Sequence, residues 1–308
     1  MEVFNYEIER FGQTYNIYKC SWCGLAVTEP FPEDEQLLRL YSSDTYRSDE
    51  GKFINSVEFF IRRFRSSRLR KIKEYCSRGR ILDIGCGRGL MLSMAKEEGW
   101  DTYGLEFNDE TAFHARNEYG LDVRTGSILE AGFETGTFDV ITIWHVLEHV
   151  VDPVGMIREC HNLLKPGGTL AIAVPNTQSL QAWMSGKYWF HLDIPYHLYH
   201  FSTLNIKMLL TNCFFKLEQV EHFSFEQNPF GFLQSILNVS GSRNNLLYDI
   251  LKTRDLRSNI GEFRDVMNML FTVLLLPLAL PLSLMLSVSE SALGRGGTIE
   301  VYATKSKE

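Results

Sequence analysis

The segment that most limits the fold is ILDIGCGRG at residues 81–89, where an apolar run ends in three closely spaced glycines. A short apolar run of this kind is typical of a buried strand, and the pattern that follows it has helical periodicity. Glycine allows a tight turn and a close approach of the backbone to a ligand. The N–H groups at the start of the following helix would point at that ligand. The segment therefore predicts a strand, a ligand-binding turn and a helix.

The same alternation continues along the chain. Helical patterns of about ten residues lie between the strand-like runs. This alternation indicates βαβ units and a parallel sheet. We therefore predict an α/β fold with a doubly wound, mostly parallel sheet. The predicted strands are 80–85, 101–107, 122–127, 138–146, 169–176, 215–225 and 298–305. The predicted helices are 89–98, 109–119, 153–164 and 203–213, the last with Ser202 as its N-cap, and KPGG at 165–168 is a predicted turn.

The composition excludes some classes of function. A net charge of -7 argues against nonspecific nucleic-acid binding, which needs a basic surface. Six cysteines in 308 residues, mostly unpaired in spacing, indicate a reducing compartment. The first residues, MEVFNYEIERFG, contain no apolar signal-peptide core. We expect a cytoplasmic protein.

The ligand is indicated by two acidic residues near the glycines. Glu106 ends the second predicted strand, where a carboxylate can bind both hydroxyls of a ribose. The dinucleotide fingerprint requires a further glycine at the position of Leu90, so a nicotinamide-dependent oxidoreductase is disfavoured. Asp83, inside the first strand, suits a ligand with a cationic amino group, such as S-adenosylmethionine. A tight turn without a ligand would explain the glycines but not the two carboxylates.

At this point the chain resembles the class I S-adenosylmethionine-dependent methyltransferases. The resemblance lies in ILDIGCGRG, YGLEFN, FDVITIWHVLEHVVDP and LLKPGGTLAIAVPN, and it covers about 80–225 and 298–305. It implies a Rossmann-like sheet of seven strands whose last strand is antiparallel and inserted between two others. The family often has an acidic residue where Ser127 stands. The implied cofactor residues are Asp83, Gly85, Cys86, Gly87 and Gly89 at the methionine end, Glu106 at the ribose, Ser127 and Ile128 beside the adenine, and His145 over the cofactor.

The acceptor is expected at the carboxyl ends of the strands, beside 144–153 and 174–202. LDIPYHLYHFS resembles a loop in methyltransferases related to the ubiquinone-pathway O-methyltransferases, with Tyr196 in place of an arginine. His197 is our first candidate for a base or substrate orienter, and His149 is the second. His191, His197 and His200 could also form a metal site, but displacement at a sulfonium needs no metal, so none is predicted.

The N-terminal region contains CSWC, with Cys20 and Cys23 spaced as in half of a zinc ribbon. The segment resembles the zinc-ribbon extension of some related methyltransferases with the first cysteine pair missing. A remnant without metal is the favoured interpretation, and ligands from elsewhere or from a second chain are the alternative.

These observations divide the chain into a degenerate zinc-ribbon-like extension (1–50), a methyltransferase core (51–225), an apolar helical insertion (226–297) and the last core strand (298–308). The predicted function is methyl transfer from S-adenosylmethionine to a small-molecule, lipid or glycan-precursor acceptor, at oxygen. The alternative is a non-catalytic partner protein that binds S-adenosylmethionine. The sequence does not indicate the oligomeric state.

The insertion contains LFTVLLLPLALPLSLMLS at residues 270–287, in a run without charge that is long enough to cross a bilayer. Pro277 and Pro281 are expected to interrupt a helix there. A single crossing would also separate the last strand from its sheet. Packing in the core is one alternative. The preferred hypothesis is a bent helical hairpin from about Gly231 to Ala292, with peripheral membrane contact through 262–290, where the basic helix at 55–75 adds attraction to anionic lipid.

Overall fold

The computed structural model describes residues 2–10, 12–32, 55–253 and 263–306. The chain forms two compact units. Unit 1 comprises Met1–Glu58, Pro175–Ser202 and Glu221–Ile299, and unit 2 comprises Phe59–Val174, Thr203–Val220 and Glu300–Glu308. The four-part division expected from the sequence stays a prediction, and positions 33–50 of its first part lie outside the described residues.

The strands and helices follow the predicted order, with additions at the N-terminus and in the insertion. The strands are β1 (Glu2–Arg10), β2 (Gln13–Lys19), β3 (Ala26–Glu29), β4 (Arg80–Ile84), β5 (Asp101–Glu106), β6 (Asp122–Thr125), β7 (Phe138–Trp144), β8 (Leu164–Pro175), β9 (Tyr199–His200), β10 (Phe215–Glu221) and β11 (Thr298–Lys305). The helices are α1 (Asn55–Lys73), α2 (Leu90–Glu97), α3 (Asp109–Tyr119), α4 (Pro153–Leu163), α5 (Leu180–Ser185), α6 (Thr203–Asn212), α7 (Asn228–Val239), α8 (Leu246–Thr253) and α9 (Phe263–Ala292).

The main sheet has seven strands in the order β10-β11-β8-β7-β4-β5-β6. The pairs β4–β5, β4–β7, β5–β6 and β7–β8 are parallel. β11 lies between β10 and β8 although α7, α8 and α9 separate it from β10 in sequence. The predicted mostly parallel seven-stranded sheet, with a helical insertion before its last strand, is therefore confirmed.

The KPGG segment is not a separate turn before β8. Phe138 pairs with Leu164 and Val140 pairs with Thr169, so four residues of β8 lie opposite a single residue of β7. The segment is an irregularity inside the strand. The amine of Lys165 lies 2.7 Å from the carboxylate of Asp139, the residue opposite, and this ion pair holds the extra residues against β7.

The core beneath β4 and β5 is built from helices on one side of the sheet. Leu69 and Ile72 of α1 are fully buried and pack with Leu92 of α2 and Ala112 of α3. Apolar residues that recur at helical spacing place one face of each helix on the sheet. The packing of these faces on the sheet fixes the position of the carboxyl ends of β4, β5 and β7.

Unit 1 contains a four-stranded sheet in the order β1-β2-β3-β9. Ala26 and Val27 pair with His200 and Tyr199, which joins the N-terminal hairpin to the 175–202 segment.

The described part of the insertion contains α7, α8 and α9, and α7 packs against α9 where a helical hairpin was expected. The expectation that prolines interrupt the second helix was wrong, because α9 runs through Pro277 and Pro281. Both prolines are exposed, so the carbonyl groups that lose a hydrogen bond lie on the outer side of the helix.

Candidate functional site

The glycine loop joins β4 to α2 and has a fixed shape. The N–H groups of Gly85 and Cys86 donate to the carbonyl of Leu105, at 2.7 and 3.2 Å. Gly85 has a φ of 71°, and a Cβ at this position would lie 2.3 Å from a methyl carbon of Val146. Only glycine fits this position, because any side chain would require both a strained backbone and a displaced neighbour.

The next glycines differ in their surroundings. A Cβ at Gly87 would meet no atom within 4 Å, so a ligand can approach the backbone closely there. A Cβ at Gly89 would lie 2.5 Å from Leu121, and Gly89 is the N-cap of α2. Gly87 thus provides space for a ligand, whereas Gly89 allows α2 to pack closely. Cys86 is buried, and its thiol points into the core beneath β5.

Glu106 ends β5 beside the loop and is 4% exposed. One carboxylate oxygen accepts a hydrogen bond from the N–H of Gly87 at 2.9 Å. The other accepts one from the N–H of Asn108 at 3.1 Å. The two bonds hold the carboxylate in one orientation next to the open space at Gly87. Such a fixed acceptor suits a ligand with neighbouring hydroxyl groups.

Asp83 lies inside β4 and is 4% exposed. The hydroxyl of Thr142, on β7, donates to its carboxylate at 2.6 Å. Burial raises the pKa of Asp83 to about 7, although the hydrogen bond from Thr142 and the positive charge of Arg68 act in the opposite direction. A cationic group of a ligand would favour the ionised form of this side chain.

Arg68 is a residue that sequence reasoning assigned to a surface. It lies on α1, the basic helix that was expected to attract lipid, yet it is 4% exposed. Its guanidinium lies 4.5 Å from the ring centre of Trp144 at the end of β7, and its charge lowers the pKa of Asp83. The positive charge of Arg68 is therefore not available on the exposed surface of α1.

His145 follows β7 with a φ of 55°, a backbone conformation that is uncommon for a residue other than glycine. Its N–H donates to the carbonyl of Ala173 at 2.9 Å, which holds the strained position. Its Nδ1 lies 3.4 Å from the carboxylate of Glu148, which is 1% exposed. Sequence reasoning missed Glu148. The spacing of three residues within WHVLEH was the available signal for this pair.

The expected adenine side of the site lies after β6. Ile128 is buried, at 4% exposure. The hydroxyl of Ser127 donates to the carboxylate of Glu130 at 2.7 Å. An acidic side chain therefore lies beside Ser127, three residues later than the family pattern led us to expect. All nine predicted cofactor residues lie in unit 2.

The first predicted base, His197, lies in unit 1 and is 7% exposed. Its Nδ1 is 2.9 Å from the carbonyl oxygen of His191. A carbonyl only accepts, so Nδ1 carries the proton and Nε2 is the basic nitrogen of the neutral ring. The hydroxyl of Thr28 donates to the His197 carbonyl at 2.7 Å and lies 2.8 Å from Nε2 of His200. These contacts fix the loop from both sides.

Tyr196 and His149 were also singled out from the sequence. Arg10 of β1 donates to the carbonyl of Ile194 at 2.8 Å, and its guanidinium lies 5.5 Å from the ring centre of Tyr196. A cation thus stands beside the tyrosine that replaces the expected arginine, and sequence reasoning missed it. His149, the second predicted base, is half-buried on a 3₁₀ turn (Leu147–His149) of unit 2.

Cys20 and Cys23 lie in the turn between β2 and β3. Hydrogen bonds from the backbone of Cys23 and of Trp22 lower the pKa of the Cys20 thiol. A turn of this kind favours a thiolate. The resemblance to a zinc ribbon nevertheless stays a prediction.

Comparison with known proteins gives the family and the fold. Residues 61–220 match the family described as "Methyltransferase domain". The "Ubiquinone biosynthesis O-methyltransferase" of Xanthomonas campestris pv. campestris is 37% identical over 103 residues, 32% of this chain and 43% of that protein. The protein of the same name from Methylococcus capsulatus is 34% identical over 111 residues, 34% of this chain and 46% of that protein. The chain thus matches less than half the length of these relatives.

A solved structure described as a "SAM dependent methyltransferase from Archaeoglobus fulgidus" has a TM-score of 0.50 and 22% sequence identity. The alignment covers 79% of this chain and 94% of that one. At this identity the likeness concerns the fold, and it agrees with the seven-stranded sheet.

Proposed function

The chain belongs to the methyltransferase domain family, and from this membership we propose that it transfers the methyl group of S-adenosylmethionine to an oxygen of a small-molecule or lipid-linked acceptor. The observation that carries the proposal is the fixed carboxylate of Glu106, held by the N–H groups of Gly87 and Asn108 beside open space. The dinucleotide fingerprint has its third glycine at the position of Leu90, where it allows the helix to pack closely on the strand, and this chain has no glycine there.

The residues of unit 2 fit this cofactor. Glu106 would accept hydrogen bonds from the two ribose hydroxyls. Asp83 would face the cationic methionine end, because a positive charge offsets the cost of ionising a buried carboxyl group. Gly85, Cys86, Gly87 and Gly89 would form the turn around that end. Ser127 and Ile128 would lie beside the adenine, and His145, oriented by Glu148, would lie over the cofactor.

When bound, S-adenosylmethionine would supply a methyl group on a positively charged sulfur: the acceptor oxygen would form a bond to the methyl carbon in line with the C–S bond, which breaks with its electron pair going to sulfur to leave a neutral thioether. The protein must align the acceptor and take up the proton of its hydroxyl group. His197 is suited to this role because its Nδ1 donates to the carbonyl of His191, which leaves Nε2 as the proton acceptor. His149 is the second candidate.

Oxygen as the methylated atom is supported by the named relatives, which are O-methyltransferases. Exposed aromatic and sulfur-containing side chains in the 175–202 segment support an acceptor with an apolar part. These are Trp183, Met184 and Tyr188, which are 74%, 49% and 39% exposed. We expect the enzyme in the cytoplasm, with contact to a membrane.

The test is to mix the purified protein with cell lipid and small-molecule extracts and S-adenosylmethionine that carries a deuterated methyl group. We expect a labelled product in mass spectrometry, on an oxygen. The test variant is Glu106→Gln. Its matched control is Glu110→Gln, because Glu110 is an exposed acid on the neighbouring helix. Glu106→Gln should lower product formation, whereas Glu110→Gln should not. Cofactor binding without a product from any extract would favour a non-catalytic binding protein, and binding of NAD in its place would refute the proposal.

A further inference from the structure

The outer face of α9 is apolar along most of its length. In its most apolar 18-residue window only 17% is buried, and α9 is the one helix of the described ranges with the length and composition of a membrane span. No Asp, Glu, Lys or Arg occurs at positions 266–289. The large apolar side chains that are at least 49% exposed are Met267, Leu270, Val273, Leu274, Leu278, Leu280, Met285 and Val288.

The fully buried positions of α9 are small or polar by contrast, while Leu275 and Leu276 are only partly buried against α7. The buried residues of this helix are Thr272, Ala279, Ser283, Ser287 and Glu290. A helix of a water-soluble protein places its leucines inward and its polar residues outward. The order is reversed here, and small residues facing the protein with leucines facing away are typical of helices in lipid.

The inner face is well anchored in unit 1. Ala279 packs against Leu233 and Leu237 of α7. The hydroxyl groups of Thr272 and Ser242 lie 2.8 Å apart. These contacts show that the reversed polarity belongs to a packed helix, whose leucine face is turned outward by specific contacts.

A bilayer fits the outer face better than a second copy of the chain does. At about 100° per residue, these exposed apolar positions, together with Phe271, Leu282 and Leu284, spread over roughly 200° of the helix circumference. A single protein surface covers a narrower arc of a helix, whereas lipid can contact the whole exposed arc. The aromatic ring at the start of the helix agrees with this occupant, since Phe263 is 80% exposed. The charges at the two ends are mixed, with Arg264 beside Asp265 and Arg295 after Glu290, and favour neither occupant.

The sheet excludes a single crossing. β10 leads into the segment that contains α9, β11 leaves it, and the two strands are hydrogen-bonded neighbours. A helix that crossed the bilayer once would place these strands on opposite sides. We propose that α9 is a monotopic membrane contact, which enters one leaflet with its leucine face while α7 covers its serine face.

The test is flotation of the full chain with vesicles of phosphatidylethanolamine and phosphatidylglycerol. The variant Leu274→Gln/Leu278→Gln/Met285→Gln removes side chains that are 75%, 74% and 60% exposed. The matched control Phe113→Gln/Leu204→Gln/Phe214→Gln alters side chains of unit 2 that are 60%, 53% and 75% exposed. We expect the wild type and the control to float. The α9 variant should show a partition coefficient at least about tenfold lower, at low and at high salt, because the contact is apolar.

Thermal unfolding monitored by circular dichroism would show that both variants are folded. Flotation of the α9 variant at the wild-type level would overturn the proposal. So would a wild type that stays with the soluble fraction as a dimer and becomes a monomer in the α9 variant, because the occupant would then be a second copy.

Discussion

The side-chain amide of Gln181 donates a 2.7 Å hydrogen bond to the carboxylate of Glu290, and this contact ties the C-terminal end of α9 to α5 within unit 1. The carboxylate also accepts hydrogen bonds from the N–H of Gln181 at 3.2 Å and of Gly297 at 3.0 Å. Glu290→Ala would leave these buried donors without their acceptor. We expect the free energy of unfolding to fall by about 2–4 kcal/mol, measured by urea denaturation.

The control for this substitution is Ser289→Ala, since Ser289 is exposed one position earlier on the same helix. It should change the free energy of unfolding by less than about 0.5 kcal/mol. Equal effects of the two substitutions would show that the carboxylate does not anchor the helix.

Glu106→Ala is expected to weaken binding of S-adenosylmethionine by about 1.5–3 kcal/mol, the range for a hydrogen bond to a charged group. Isothermal titration calorimetry measures the change, and Glu110→Ala is the exposed control. A folded Glu106→Ala protein with wild-type affinity would remove Glu106 from the site.

The stability of the protein should depend on the ionisation of Asp83. Burial raises the pKa of this group to about 7 in the folded state, above about 3.9 in the unfolded chain. Its stabilising contribution is therefore fully present below about pH 4 and is lost as pH rises to about 7. Asp83→Asn should remove this part of the pH dependence, which is on the order of 4 kcal/mol. Denaturation at several pH values measures it, and an unchanged pH dependence in Asp83→Asn would contradict the assignment.

His197→Ala should lower turnover by about 100-fold or more with cofactor affinity nearly unchanged, if Nε2 takes up the acceptor proton. His200→Ala is the comparison, because Nε2 of His200 contacts the hydroxyl of Thr28 and this contact supports the loop. It should lower the melting temperature more than the turnover. A wild-type turnover in His197→Ala would make His197 a structural residue.

Local patterns predicted the glycine loop and its surroundings. Asp83 lies in a strand, Gly85 in the turn after it, and Glu106 at the end of the next strand, and the sequence alone predicts this order. The structure places all three near the carboxyl ends of β4 and β5. KPGG was predicted as a turn because glycine and proline favour turns, but the pairing of β8 with β7 takes it into the strand.

Residues whose role depends on another element could not be predicted. Arg68 is one of several arginines in α1, and only the position of Trp144 determines that it is the buried one. The pairing of β3 with β9 joins segments about 170 residues apart, for which single-sequence patterns carry no signal. The prolines of α9 were expected to interrupt the helix. The sequence does not show that the carbonyl groups left without a hydrogen bond lie on the exposed side.

The position of β11 has a consequence for synthesis. β8 and β10 are complete before α9 is translated, and β11, which is made after α9, must enter between them. Until it does, two strands of the main sheet present unpaired edges while the most apolar helix of the described chain has already been synthesised. Both features favour association of incomplete chains. A nascent chain stalled before residue 298 would therefore depend on a chaperone or a lipid surface far more than the finished protein does.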